Sequence, residues 1–108
     1  MDSAHWTGSE KKLAKAAYDT ALLRELDALL MAFKQRAAGA ETAEAVWPIK
    51  DWLEQQQREI ERTYDYRYSQ LVFVFARMIR RGTLEASELV GLSQDKLDEI
   101  ASMTTRTT

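Results

Sequence analysis

From Leu13 to Ala37 the apolar residues fall at Leu13, Ala17, Leu22, Leu26, Leu29, Leu30, Phe33 and Ala37, with neither glycine nor proline between them. Steps of mostly three and four put them on one stripe of a single long helix. Ser9 is a candidate N-cap, and Glu10 follows it in the first turn, where the helix dipole favours an anion. Gly39 is the expected stop. The rest of the chain offers few other places to end a helix, since 108 residues hold one proline and four glycines. An all-α fold follows.

A second helical stretch runs from about Thr42 to Arg81, with two features that can interrupt it. Pro48 removes a hydrogen bond and crowds the preceding turn. The helix therefore begins at Pro48, or a first turn from Thr42 kinks there. Helix propensity is also poor at Thr63–Asp65, where a break is possible. Between these points Val46, Ile49, Leu53, Ile60 and Tyr64 form a seam, with Gln56 as one polar layer. Such a seam exceeds what a 12.4 kDa chain can cover alone. It predicts a homodimer through Val46, Ile49, Leu53 and Ile60.

Leu71 to Ala76 is apolar all round and reads as a buried helix, ended by Gly82. Gly91 divides the tail into two short helices, and Ser93 is a good N-cap for the second, with Asp95 in its first turn. Residues 1–8 read as a flexible arm and residues 104–108 as a disordered tail.

Composition narrows the chemistry. Without cysteine there is no disulfide, thiolate or cysteine-ligated metal. His5 is the single histidine, which removes a His-rich metal site and leaves little room for a His-based triad. The carboxylates Glu25, Asp27, Glu54, Glu59, Glu61, Glu85 and Glu88 sit at helical spacing, as on solvated faces. No phosphate loop and no Glu-x-x-His motif is present. The expectation is a non-enzymatic protein with no cofactor. A net charge of −2 and a pI near 5.4 do not suit a nucleic-acid binder. No apolar run is long enough to span a membrane and no secretory signal precedes the first helix, so a cytoplasmic protein is expected.

Several residues stand out against this background. At about 100° per residue, Trp47, Asp51 and Arg58 share one stripe of the second helix. Trp and Arg are enriched at binding hot spots. The stripe is either an interaction surface or a core Trp beside a surface ion pair. Phe73 falls off the stripe made by Tyr68, Leu71, Val72, Phe75, Met78 and Ile79. It is either covered by another element or presented to a partner. The run Tyr64-Asp65-Tyr66-Arg67-Tyr68 can stack on bases, but the acidic balance favours tyrosines turned to a core. Arg77, Arg80 and Arg81 cluster at a helix C-terminus, where cations suit the dipole.

The segments RELDALL at 24–30, Trp47-x-x-x-Asp51-x-Leu53, and YDYRYSQLVFVFARMIRRGTLEASELVGLSQDKLDEI at 64–100 resemble the fluorescence recovery protein family of cyanobacteria. The likeness runs over about residues 10–103. It implies an all-helical homodimer, with residues 9–63 as stalk and dimerisation region and 64–103 as a small head. It implies no cofactor and no enzymatic chemistry. The implied partner is the C-terminal domain of the photoactivated orange carotenoid protein, whose return to the inactive form the family speeds, ending non-photochemical quenching of the phycobilisome. The family's partner-binding positions match Trp47, Asp51 and Phe73, and Arg58 lies on the Trp47 stripe. Lys50, Gln57 and Glu99 stand where the family has histidine, arginine and lysine. A helical dimeric scaffold with an unrelated partner is the alternative reading.

Overall fold

The computed structural model describes residues 5–105, and its elements are helices joined by turns. Helix α1 spans Gly8–Ala38, α2 Val46–Thr63, α3 Leu71–Arg81 and α4 Gln94–Thr104, with short 3-10 turns at Ala43–Ala45 and Ala86–Leu89. The molecule is elongated, 53 × 29 × 20 Å.

The first helix starts earlier than Ser9. Thr7 is the cap: its Oγ1 accepts the Glu10 N–H at 3.1 Å, and the Glu10 carboxylate accepts the Thr7 N–H at 2.9 Å. Only a cap three residues before Glu10 closes both bonds of a capping box, so Thr7 wins over Ser9. The expected arm is corrected with it. Trp6 is 6% exposed, tilted against Tyr68 at 5.6 Å, with the Lys96 ammonium 4.7 Å from its ring centroid. A lone aromatic in a polar segment has gained more from that pocket than from freedom. Residues 1–4 lie outside the described residues. At the other end Thr104 closes α4 and Thr105 caps it, its hydroxyl donating to the Ala101 carbonyl at 3.0 Å. Thr104 and Thr105 of the expected tail therefore belong to α4 and its cap, and residues 106–108 lie outside the described residues.

The expected stretch from Thr42 to Arg81 is two helices, because the break that Thr63–Asp65 permits is made. Residues 64–70 carry no regular helix, and the chain re-enters helix at Leu71. Pro48 is the third residue of α2, directly after the Ala43–Ala45 turn. In the first turn a helical N–H has no partner within the helix, so proline loses no bond there.

Helix α2 runs back along α1. The Arg36 guanidinium lies 4.2 Å from the Trp52 ring centroid, while Tyr64, one residue past α2, donates from its hydroxyl to the Ala21 carbonyl at 3.3 Å. This pair is the stalk. The head is built from α3, α4 and the first half of α1. Its core joins Ala14, Ala17 and Ala21 of α1 to Leu71, Val74, Phe75 and Met78 of α3, with Leu84, Leu89, Leu92 and Ile100. The head therefore includes the N-terminal half of a helix that the sequence assigns wholly to the stalk. Small alanines let the neighbouring backbone approach that half. Gly91 is packed against the same half: at φ +124 a β-carbon would sit 2.7 Å from Leu13 Cδ1. Gly82 at φ +85 gives α3 a left-handed stop that a side chain would strain.

Three polar clasps tie α1 to the head. Arg24 binds Glu88 with two N–H groups at 2.9 and 3.0 Å and reaches the Thr83 carbonyl at 3.0 Å. Arg81 pairs with Glu25, which also accepts the Tyr64 hydroxyl at 3.1 Å. Glu10, 4% exposed, accepts the Ser93 N–H at 2.7 Å and takes the Lys96 ammonium at 3.3 Å. One carboxylate thus serves the N-termini of two helices, α1 and α4.

Candidate interaction surfaces

The stalk leaves two surfaces open. The first is apolar. Ile49, Leu53 and Ile60 of α2 are half-buried, and Val46 is 55% exposed. Leu53 and Ile60 line an open groove of about 620 Å3 together with Leu22, Leu26 and Leu29 of α1, rimmed by Lys50, Glu54, Gln57 and Glu61. Leu23, Leu30 and Met31 of α1 are also strongly exposed. The apolar face is therefore shared between both stalk helices. The sequence offers only the α2 half as a pairing surface. The missed signal is the run Leu22, Leu23, Leu26, Leu29, Leu30, Met31, which carries more apolar positions than one antiparallel neighbour can cover.

The second surface is the outward row of α2. Trp47 is 63% exposed, and Asp51 and Arg58 are exposed with it. The core-Trp alternative for Trp47 is thus removed. Arg58 makes no ion pair among the described residues. Asp51 lies beside Lys50, whose ammonium is bound to Glu54 at 3.0 Å. That hydrogen bond, with the charges of Glu54 and Asp51, holds the Lys50 ammonium above its usual value. Gln57 gives its amide to Glu61 at 3.2 Å.

Phe73 does not join that row. It stands on α3 in the head, 44% exposed, while Val72 and Val74 on either side are buried. Trp47 lies near the far end of α2, about 24 Å along the helix from Thr63 at the head junction. One chain therefore offers two separate patches.

The tyrosine run packs on itself. Trp6, Tyr68, Tyr66, Tyr18 and Tyr64 form a chain of rings with centroids 5.6, 5.8, 4.8 and 5.5 Å apart. Lys11 and Lys15 lie over the Tyr68 and Tyr66 rings at 5.3 and 5.8 Å. Arg67 is bound to Asp65 through two nitrogens. Burial, with the Glu25 carboxylate close by, pushes the Tyr64 hydroxyl up to about 12. Burial and the adjacent Tyr68 do the same for Tyr66, also about 12. These rings are engaged with one another. Their faces are not free to stack on bases. No group of His, Asp and Glu that could hold a metal ion occurs among the described residues. No helix among them is long and apolar enough to cross a membrane.

Comparison with known proteins agrees with this architecture. The family model described as photoprotection regulator fluorescence recovery protein matches residues 6–104. The fluorescence recovery protein of Synechocystis sp. (strain ATCC 27184 / PCC 6803 / Kazusa) is 34% identical over 100 residues, covering 93% of this chain and 92% of that one. The solved structure of the Fremyella diplosiphon fluorescence recovery protein is similar at a TM-score of 0.86 and 40% identity, over 92% of this chain and 97% of that chain. The Synechocystis structure is similar at 0.85 and 34% identity, over 91% and 96%.

Proposed function

The chain belongs to the fluorescence recovery protein family of photoprotection regulators, and from that membership we propose that it acts in the cytoplasm as a non-enzymatic homodimer. It binds the C-terminal domain of a photoactivated orange carotenoid protein and speeds its return to the inactive form, so that quenching of the phycobilisome ends. The observation that carries this reading is the row Trp47, Asp51 and Arg58. An indole 63% exposed contributes little to the fold that bears it. On the same side of α2 stand one carboxylate a turn away and, about 16 Å along the helix from Trp47, one guanidinium without an ion pair, the composition of a binding hot spot.

The mechanism follows from rate theory. A protein that accelerates a relaxation binds the transition state more tightly than the activated state. Binding all states equally would change nothing. Trp47, Asp51, Arg58 and Phe73 supply that differential contact. A second copy of the chain covers the apolar groove between α1 and α2, and two-fold pairing presents each patch twice.

The test is the dark decay of red absorbance of the carotenoid protein, with and without a stoichiometric amount of this chain. Faster decay is expected, and Trp47→Ala and Asp51→Ala should each remove most of the acceleration without unfolding the protein. An unchanged decay constant together with no complex on size exclusion rejects the proposal in favour of a scaffold with another partner.

A further inference from the structure

Helix α3 is enclosed on all sides but one. Leu71, Val72, Val74, Phe75, Ala76 and Met78 are buried, and Arg81 turns back to Glu25. Ile79 is half-buried, and Phe73, Arg77 and Arg80, at i, i+4 and i+7, form one row towards solvent. The helix contains no carboxylate. Phe73 keeps 44% of its surface in water. Arg80 spends one N–H on the Met103 carbonyl at 3.3 Å and keeps the rest of its fork. Arg77 is half-exposed and makes no ion pair among the described residues. Its charge acts on Asp65, but that carboxylate is bound to Arg67 through two nitrogens. The row therefore carries a phenyl ring and two cations that the fold leaves uncommitted.

We infer that this row docks a carboxylate-bearing protein surface, with Phe73 seated in an apolar recess and Arg77 and Arg80 paired to Asp or Glu side chains around it. The inference rests on the proposed function for the identity of the partner and adds the chemistry of the contact made by the head. Charge complementarity selects the occupant. A basic surface would face two arginines with no carboxylate between them. Nucleic acid calls for a broad basic footprint, whereas this chain carries a net charge of −2 and the row holds two cations. Guanidinium groups bind carboxylates through paired N–H bonds. An aromatic flanked by arginines is the composition of a protein–protein hot spot.

The experiment uses the full chain, labelled for amide NMR. It is titrated with two synthetic amphipathic peptides of equal length, one alternating Leu with Glu and the other Leu with Lys, and with a random DNA duplex. The Glu peptide is expected to move the Phe73, Arg77 and Arg80 signals. Arg77→Gln/Arg80→Gln, with an unchanged melting temperature, should abolish that movement. No movement at these residues, or equal movement by the Lys peptide or the duplex, overturns the inference. A second arm measures affinity for the photoactivated orange carotenoid protein. Arg77→Glu/Arg80→Glu should weaken it about ten-fold and flatten its salt dependence. Equal binding by wild type and variant overturns the inference. A wild type that does not bind sinks the proposed function, and the peptide arm then decides this one alone.

Discussion

Glu10→Gln keeps the size of the side chain and removes its charge, at a point where two helices and the Trp6 segment meet. The carboxylate accepts the Thr7 N–H at 2.9 Å, the Ser93 N–H at 2.7 Å and the Lys96 ammonium at 3.3 and 3.4 Å. Glutamine has one carbonyl oxygen, so one backbone N–H can keep its acceptor while the other meets an amide that can only donate. Lys96, whose side chain is 14% exposed, loses its counter-charge. Breaking a buried pair from one side costs about 3–5 kcal/mol. The lower end applies here, because Lys96 keeps the His5 carbonyl at 2.7 Å and the Trp6 ring. At about 4–8 °C per kcal/mol for a domain of this size, the melting temperature should fall by about 15 °C. Thermal unfolding followed by circular dichroism reads it. Glu10→Gln/Lys96→Met should recover part of the loss, since no unpaired charge then remains buried. The pH dependence has a definite sign. Burial pushes the Glu10 carboxyl up, but the Thr7 and Ser93 N–H groups and Lys96 outweigh it and hold it below 4.5. A carboxyl lowered by folding stabilises above its unfolded value and loses that contribution as pH falls through its folded value. The difference between wild type and Glu10→Gln is therefore full at neutral pH and closes below 4.5. A melting temperature within about 5 °C of wild type at pH 7 would refute the clasp.

Other consequences follow from the same packing. Phe75 is fully buried and Phe73 is 44% exposed. Phe75→Ala should cost about 4 kcal/mol and Phe73→Ala under about 1.5 kcal/mol, read as a large and a small drop in melting temperature; equal drops would make Phe73 a core residue. Leu26 is 44% exposed on the groove, so Leu26→Glu should leave a folded chain while moving the mass by light scattering from twice 12.4 kDa to 12.4 kDa. A wild-type monomer at micromolar concentration refutes the pairing. Gly91→Ala combines a strained φ with a clash against Leu13 and should destabilise the head by about 2 kcal/mol or more in denaturant unfolding.

Much of this architecture is written in local signals. The long first helix, its stop at Gly39, the break that Thr63–Asp65 permits, the helix end at Gly82 and the Ser93 cap each depend on a few neighbouring residues, and all are found where those residues put them. The differences arise where a distant partner decides. Trp6 reads as part of a polar arm because nothing nearby in sequence covers it; its pocket is made by Tyr68 and Lys96. Glu10 reads as a first-turn anion, which it is, but its second role at Ser93 spans 83 residues. The expected single stripe on α1 is in fact two: the step of five from Ala17 to Leu22 carries the apolar side about 140° further round the helix. The first half therefore buries Ala14, Ala17 and Ala21 in the head, while Leu22, Leu26 and Leu29 line the groove on another side. The outward row at Trp47, Asp51 and Arg58 was legible as a stripe. Its exposure was not, because periodicity gives the angle between residues and leaves open which side meets water.

The departures at Lys50, Gln57 and Glu99 bear on the proposed activity, and the structure separates their effect on folding from their effect on binding. All three are exposed. Lys50 is bound to Glu54 and Gln57 to Glu61, each one turn along α2. Such exposed pairs contribute little to stability, so the fold is indifferent to these positions. A partner surface is not. Histidine, arginine and lysine would offer donors or charge at the three sites. Here Lys50 is partly neutralised by Glu54, Gln57 carries no charge, and Glu99 reverses one. Removing one well-formed interaction from an interface weakens binding by roughly ten-fold. The expected outcome is acceleration of the carotenoid protein's dark relaxation that is reduced, not absent, relative to the Synechocystis protein assayed alongside. Because the surface is otherwise intact, Lys50→His/Gln57→Arg should raise the acceleration without changing the melting temperature. Equal acceleration by the two proteins, or no gain in the double variant, would show that these positions lie outside the working surface.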